Sequence, residues 1–130
     1  MKDLSKTHKK HYKHFSPKEK EIIETKIKDI NKDEWKFRSH ATGKLKERGG
    51  ELKDVYAALN DFNIIEFHAK EGEPRLLIRG KSVLYTDNIC IVIALKTKEI
   101  VTTYFNNVKD NHFTLDMTKY TKSIDVLKFI

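Results

Sequence analysis

Between Asn60 and Asn63 the spacing of apolar residues changes, and that change limits the folds open to this chain. Before it, apolar residues recur three and four apart, as in Ile23, Ile27 and Ile30 and again in Leu52, Val55, Tyr56 and Leu59. That is the period of a helix with one buried face. After it they fall at alternate positions or in the short run Ile89–Leu95, the pattern of strands. Helices followed by strands, rather than alternating with them, predict the α+β class: N-terminal helices packed on an antiparallel sheet of four or more strands. The 130 residues, 38% of them apolar, suffice for one such domain with one core.

Local signals place the elements. Residues 1–15, rich in Lys and His, show no apolar period and are expected to form a basic arm or weak helix ahead of a single domain over 16–130. Ser16-Pro17-Lys18-Glu19 is a helix start: Ser16 caps, Pro17 suits the first turn, and Glu19 completes a capping box. This helix should carry Ile22, Ile23, Ile27 and Ile30 inward and end near Asn31. Trp35 and Phe37 fall in a connector as core plugs. A short helix from His40 to Arg48 follows, capped by Ser39, with Ala41 and Leu45 inward and Gly49-Gly50 ending it. A third runs from Glu51 to Asn60. Asn63–Lys70 and Pro74–Lys81 flank Glu71-Gly72-Glu73 as a hairpin, and Asn88–Lys96 pairs with Glu99–Asn106 around Thr97-Lys98. In the tail, Phe113 and Leu115 suit an edge strand, and Ile124, Leu127 and Ile130 a closing helix.

Charge is unevenly spread. Residues 1–50 carry 15 Lys and Arg against 8 Asp and Glu, whereas residues 51–130 carry 11 of each, so the whole net +7 belongs to the first part. Such a directed field attracts polyanions, and RNA is the expected partner, tRNA included. No apolar run approaches the ~20 residues of a membrane-spanning helix, and no signal-peptide core follows the basic N-terminus. Cys90, the single cysteine, lies inside the Ile89–Leu95 run and reads as a buried thiol of a cytoplasmic protein.

Two constellations suit phosphate chemistry. His40, Lys44 and Arg48 are four apart and form one stripe on a helix. Cleaving RNA without a metal needs a base for the 2′-hydroxyl proton, an acid for the leaving oxygen, and cations for the charged phosphorane. Histidine suits the proton transfers and arginine grips phosphate with paired hydrogen bonds. The second set is His68, Arg75 and Arg79 on adjacent strands, with Tyr104 and His112 as further contributors. Strict alternation puts Ile65, Phe67, Leu76 and Ile78 on one sheet face. Glu66, His68, Lys70, Arg75, Arg79 and Lys81 then lie on the other, interrupted by Leu77. In the central pair Lys96, Val101 and Thr103 join Cys90 on that second, basic face. Lys9, Lys10 and Lys13 of the arm, with Arg75, Lys81 and Lys96, are the expected nucleic-acid contacts. His8, His11 and His14 have metal-ligand spacing, but the lysines around them repel a cation, so no metal is expected. No phosphate loop or nucleophile turn is present, and no cofactor is expected.

The order of these residues carries a resemblance. Ser39-His40-Ala41 with Lys46-Glu47-Arg48-Gly49 resembles a "His-Ala … Glu-Arg-Gly" helix pattern of small toxin-like domains related to RelE. Ile64-Ile65-Glu66-Phe67, Arg75-Leu76-Leu77-Ile78-Arg79-Gly80, the Ile89–Leu95 strand and Ile100-Val101-Thr102-Thr103-Tyr104 extend it over residues 37–107. Asp110-Asn111-His112, Thr114-Leu115-Asp116 and Tyr120 resemble a tail of phage-associated members. The group is the barnase–EndoU–colicin–RelE set of metal-independent ribonucleases. The resemblance implies a RelE-like fold with a basic cleft, an endoribonuclease activity of toxin type and a cognate inhibitor protein. It carries site roles first to His40 and Arg48, then to Arg75 and Arg79, then to Tyr104 and His112. The alternative is a non-catalytic nucleic-acid-binding or phage accessory protein, which needs only the basic surface.

Overall fold

The structure, a computed structural model, describes residues 9–47, 49–69, 72–84, 86–109 and 120–130, with Leu84 described by its backbone alone. In chain order its elements are β1 (Lys9–His11), α1 (Pro17–Asp29), β2 (Lys36–Phe37), α2 (Ser39–Glu47), α3 (Leu52–Asn60), β3 (Phe62–His68), β4 (Arg75–Leu84), β5 (Asp87–Ala94) and β6 (Glu99–Asn107). Single 3₁₀ turns occupy Tyr12–His14, Lys32–Glu34 and Val126–Lys128. The strands form one sheet in the order β1-β3-β4-β5-β6-β2, antiparallel throughout except that β2 runs parallel to β6. The α+β class is as expected, and the strand number among the described residues is six.

The capping box forms as the sequence predicts: the Glu19 amide donates to Ser16 Oγ at 3.1 Å and the Ser16 amide to Glu19 Oε1 at 2.8 Å. Ile23 and Ile27 of α1, Ala41 and Leu45 of α2, and Val55, Ala58 and Leu59 of α3 all join the main core. From the sheet, Ile64, Phe67, Leu76, Ile78, Ile91, Ile93 and Ile100 meet them, and Trp35 is buried as expected. Leu52, expected on the buried face of α3, is exposed at the first helical position. Gly49, in the left-handed region at φ 73°, ends α2 as its amide bonds Lys46 O. Among the described residues no helix is long and apolar enough to cross a membrane.

Three departures from the sequence reading have physical causes. Residues 9–11, expected in an arm or weak helix, are an edge strand. The inward residue of that strand is Lys10, whose charge is neutralised by Glu19, so no apolar alternation announces it. A bulge between Ile64 and Glu66 turns Ile65 away from the main core. Ile64 takes its expected place, and Ile65 packs with Leu77, Cys90 and Val92 on the other face. A second irregularity, between Val92 and Ile93, makes Val101 the extra residue of β6 and sends Thr103 inward, fully buried beside Ile91. The tail forms a 3₁₀ turn over Val126–Lys128 instead of a closing helix, while Phe113 and Leu115 lie outside the described residues.

Helix α3 lies against the sheet at Gly80, where a Cβ would sit 2.7 Å from the Ala58 Cβ and 3.2 Å from Ile89 Cγ2. Gly80→Ala is therefore expected to destabilise by about 1–3 kcal/mol through overpacking. Urea unfolding checks this, and adding Ala58→Gly should restore part of the loss. Additive losses in the double variant would mean that the two sites do not meet.

Candidate functional site

Two buried contacts fix α2 along β6: Thr103 Oγ1 donates to Ala41 O at 2.8 Å, and the Arg38 amide to Ile100 O at 3.1 Å. Between helix and strand they leave a cleft of about 350 Å³, lined by His40, Lys44, Glu47, Thr102, Thr103, Tyr104 and Phe105. His40 and Lys44, one helical turn apart, are exposed at its wall, and Lys44 Nζ lies 3.7 Å from Glu47 Oε2. Tyr104, 36% exposed, borders the cleft from β6, but it is registered with Cys90, so its hydroxyl stands on the sheet face opposite the helices. Burial of its hydroxyl, then the neighbouring Cys90 and the charge of Glu66, push its pKa well up, with Arg79 acting the other way. Tyr104 therefore stays protonated. Of the residues singled out for catalysis, His40 and Lys44 thus share one cleft wall, and the Tyr104 hydroxyl lies on the other side of the sheet. Arg48, the third member of the helical stripe, lies outside the described residues, as does His112.

The remaining candidates fall elsewhere. His68 is on β3, hydrogen-bonded through Nε2 to Glu66 Oε2. The other oxygen of Glu66 accepts from Tyr120 Oη at 2.8 Å, and Lys9 Nζ stands 3.9 Å away. Burial pushes the Glu66 carboxyl up, but the His68 hydrogen bond and charge, then Tyr120 and Lys9, outweigh it and hold the group below its ordinary value. Arg79 is buried: its Nε donates to Asn88 Oδ1 at 2.9 Å and Nη2 to Asn107 O at 2.7 Å. It ties β4, β5 and β6 together and is not placed to receive a phosphate.

Among the expected nucleic-acid contacts, Lys10 is corrected outright. It is buried, donating to both oxygens of Glu19 at 2.9 and 3.1 Å and to Ile124 O at 2.7 Å, because β1 turns it toward the core. Arg75 donates from Nε and Nη2 to Glu73 Oε2 at 2.8 and 2.6 Å. Arg38 grips the same Glu73 and also Glu99, and the two guanidiniums lower the Glu73 pKa to about 2. Lys13, Lys81 and Lys96 are exposed, with Lys81 3.5 Å from Asp61. Of the three histidines at metal-ligand spacing, His11 is buried in the sheet, His14 is half-buried and His8 lies outside the described residues. Among the described residues no three His, Cys, Asp or Glu side chains converge on a metal position.

Sequence reading passed over Glu66 as the partner of His68. The signal was there, since residues two apart on a strand share a face. Tyr120 carried no such signal, because it reaches Glu66 from the far end of the chain. The chain matches no protein-family model, no curated protein and no solved structure.

Proposed function

We propose that this protein is an endoribonuclease that cleaves RNA through its own 2′-hydroxyl, without a metal, on a scaffold of the RelE-like kind. The observation that carries the reading is the pairing of His40 and Lys44 on the wall of one cleft. His40 would take the 2′-hydroxyl proton as the 2′-oxygen bonds to phosphorus. Lys44 would stabilise the charged phosphorane oxygens. As the bond from phosphorus to the 5′-oxygen breaks, that oxygen takes a proton from water in the open cleft. The products are a 2′,3′-cyclic phosphate and a 5′-hydroxyl. The excess positive charge of residues 1–50 supports RNA as the ligand, tRNA included, in the cytoplasm, with an inhibitor protein as the natural control.

The test is incubation with total RNA and a tRNA pool in excess EDTA, beside His40→Ala. Discrete fragments ending in cyclic phosphate from the wild type alone are expected. Intact RNA that still shifts on a gel would leave a binding module instead. One observation favours that second reading: His40 is exposed and has no hydrogen-bond partner among the described residues, whereas a general base is commonly oriented by a third group.

A further inference from the structure

Lys9, His68 and Arg75 are direct cross-strand neighbours on β1, β3 and β4. Opposed residues share a face, so the three side chains stand in one row on the face that carries Ile65 and Leu77, away from the main core. At the ordinary strand spacing the row spans about 10 Å. Their side chains are 40%, 27% and 25% exposed.

Each member keeps hydrogen-bonding capacity. Among the described residues, the ammonium of Lys9 has only its long contact with Glu66, at 3.9 Å. Arg75 spends Nε and Nη2 on Glu73, leaving Nη1. His68 spends Nε2 on Glu66, leaving Nδ1. The two carboxylates that could oppose an anion are already engaged, Glu66 by His68 and Tyr120, and Glu73 by Arg38 and Arg75.

The Glu66 contact also sets the polarity of the histidine. An ionised carboxylate accepts only, so Nε2 carries a hydrogen. In the neutral ring Nδ1 then presents a lone pair, which repels a phosphate oxygen. In the charged ring Nδ1 presents an N–H, which donates to one. The groups facing His68 are Lys9 from β1, Glu66 on its own strand and Arg75 from β4. Behind Glu66 stand His11 and Tyr120, and beyond Arg75 stands Glu73. Imidazole is the side chain whose charge ordinarily changes between about pH 5 and 8. His11 is buried, and its Nδ1 accepts from the Lys13 amide at 3.2 Å.

We propose that Lys9, His68 and Arg75 form a phosphate-binding row that grips an RNA strand more tightly when His68 carries a proton. This rests on the reading of RNA as the ligand but not on its cleavage.

The experiment is fluorescence anisotropy of a short labelled 2′-O-methyl oligonucleotide, which cannot be cut by 2′-hydroxyl attack, near pH 5.5 and pH 8. The wild type is expected to bind about tenfold more weakly at the higher pH, as one charge-assisted hydrogen bond is lost. His68→Gln should bind equally at both pH values, at the wild-type level of pH 8. Lys9→Met should weaken binding at both and keep the tenfold ratio. A His68→Gln variant that keeps the full ratio, or a wild type without one, overturns the row. Binding with the expected ratio but no cutting of unmodified RNA overturns the nuclease reading alone. Absence of binding at either pH overturns both. If His68→Gln fails to fold, the wild-type His68 ring signals decide by NMR. They should move when oligonucleotide is added at the lower pH, and signals that stay put overturn the row.

Discussion

Replacing Glu19 with alanine is expected to lower the unfolding free energy by about 3–5 kcal/mol, a large part of what holds a domain of this size. The carboxylate meets three parts of the chain at once. It accepts from Lys10 Nζ at 2.9 and 3.1 Å, from the Ser16 amide at 2.8 Å and from the Val126 amide at 3.0 Å. Removing it strands the Lys10 ammonium, whose side chain is 7% exposed, with the Ile124 carbonyl and the face of the Phe15 ring as its remaining partners among the described residues. The pair itself is not the main source of stability, since burying both charges offsets much of their attraction. Lys10→Met with Glu19→Gln removes both charges yet keeps an amide oxygen for the cap, and should recover most of the loss. Chemical denaturation of the three chains forms the cycle.

The same group gives a pH signature. Burial raises the Glu19 pKa, but the Ser16 amide, Lys10 and the Val126 amide lower it further, so its folded value lies below the ordinary one of 4.5. A depressed carboxyl contributes stability that is full above its unfolded value and is lost as pH falls through the folded one. Wild-type stability should therefore decline below about pH 4.5, and less steeply in the double variant. Equal acid slopes in the two proteins would remove Glu19 from the acid response.

His40→Ala is expected to slow RNA cleavage by about 10²–10⁴-fold, the usual contribution of a positioned general base, while leaving affinity within a few-fold. Tyr104→Phe should leave cleavage within a few-fold, because that hydroxyl lies with Cys90 on the opposite face of the sheet. A loss as large as that of His40→Ala would place the hydroxyl in the cleft.

Helices and hairpins were legible because their signals are local: the box of Ser16 and Glu19, the period of α3, the turn around Gly72. Strand β1 was not, because its one inward side chain is a lysine whose counter-charge sits on α1, nine residues on. Strict alternation failed at Ile65 and Thr103, where a single extra residue in β3 or β6 reverses the faces. Arg79 looked like a surface cation because its acceptors, Asn88 and the Asn107 carbonyl, lie on other strands. In the cleft, the spacing of His40 and Lys44 was readable as one helical stripe. That they open onto a cleft depends on how α2 docks on β6, which Thr103 decides through its bond to Ala41 O.

The junction at Glu19 also orders events during synthesis. Lys10 and Glu19 leave the ribosome more than a hundred residues ahead of the Ile124 carbonyl and Val126 amide that complete their shell. β1 likewise pairs with β3, and its Lys9 carbonyl waits for the Thr121 amide. Contacts this distant in sequence form slowly, since a long loop must close first. β1 is thus secured only once Thr121, Ile124 and Val126 have been made.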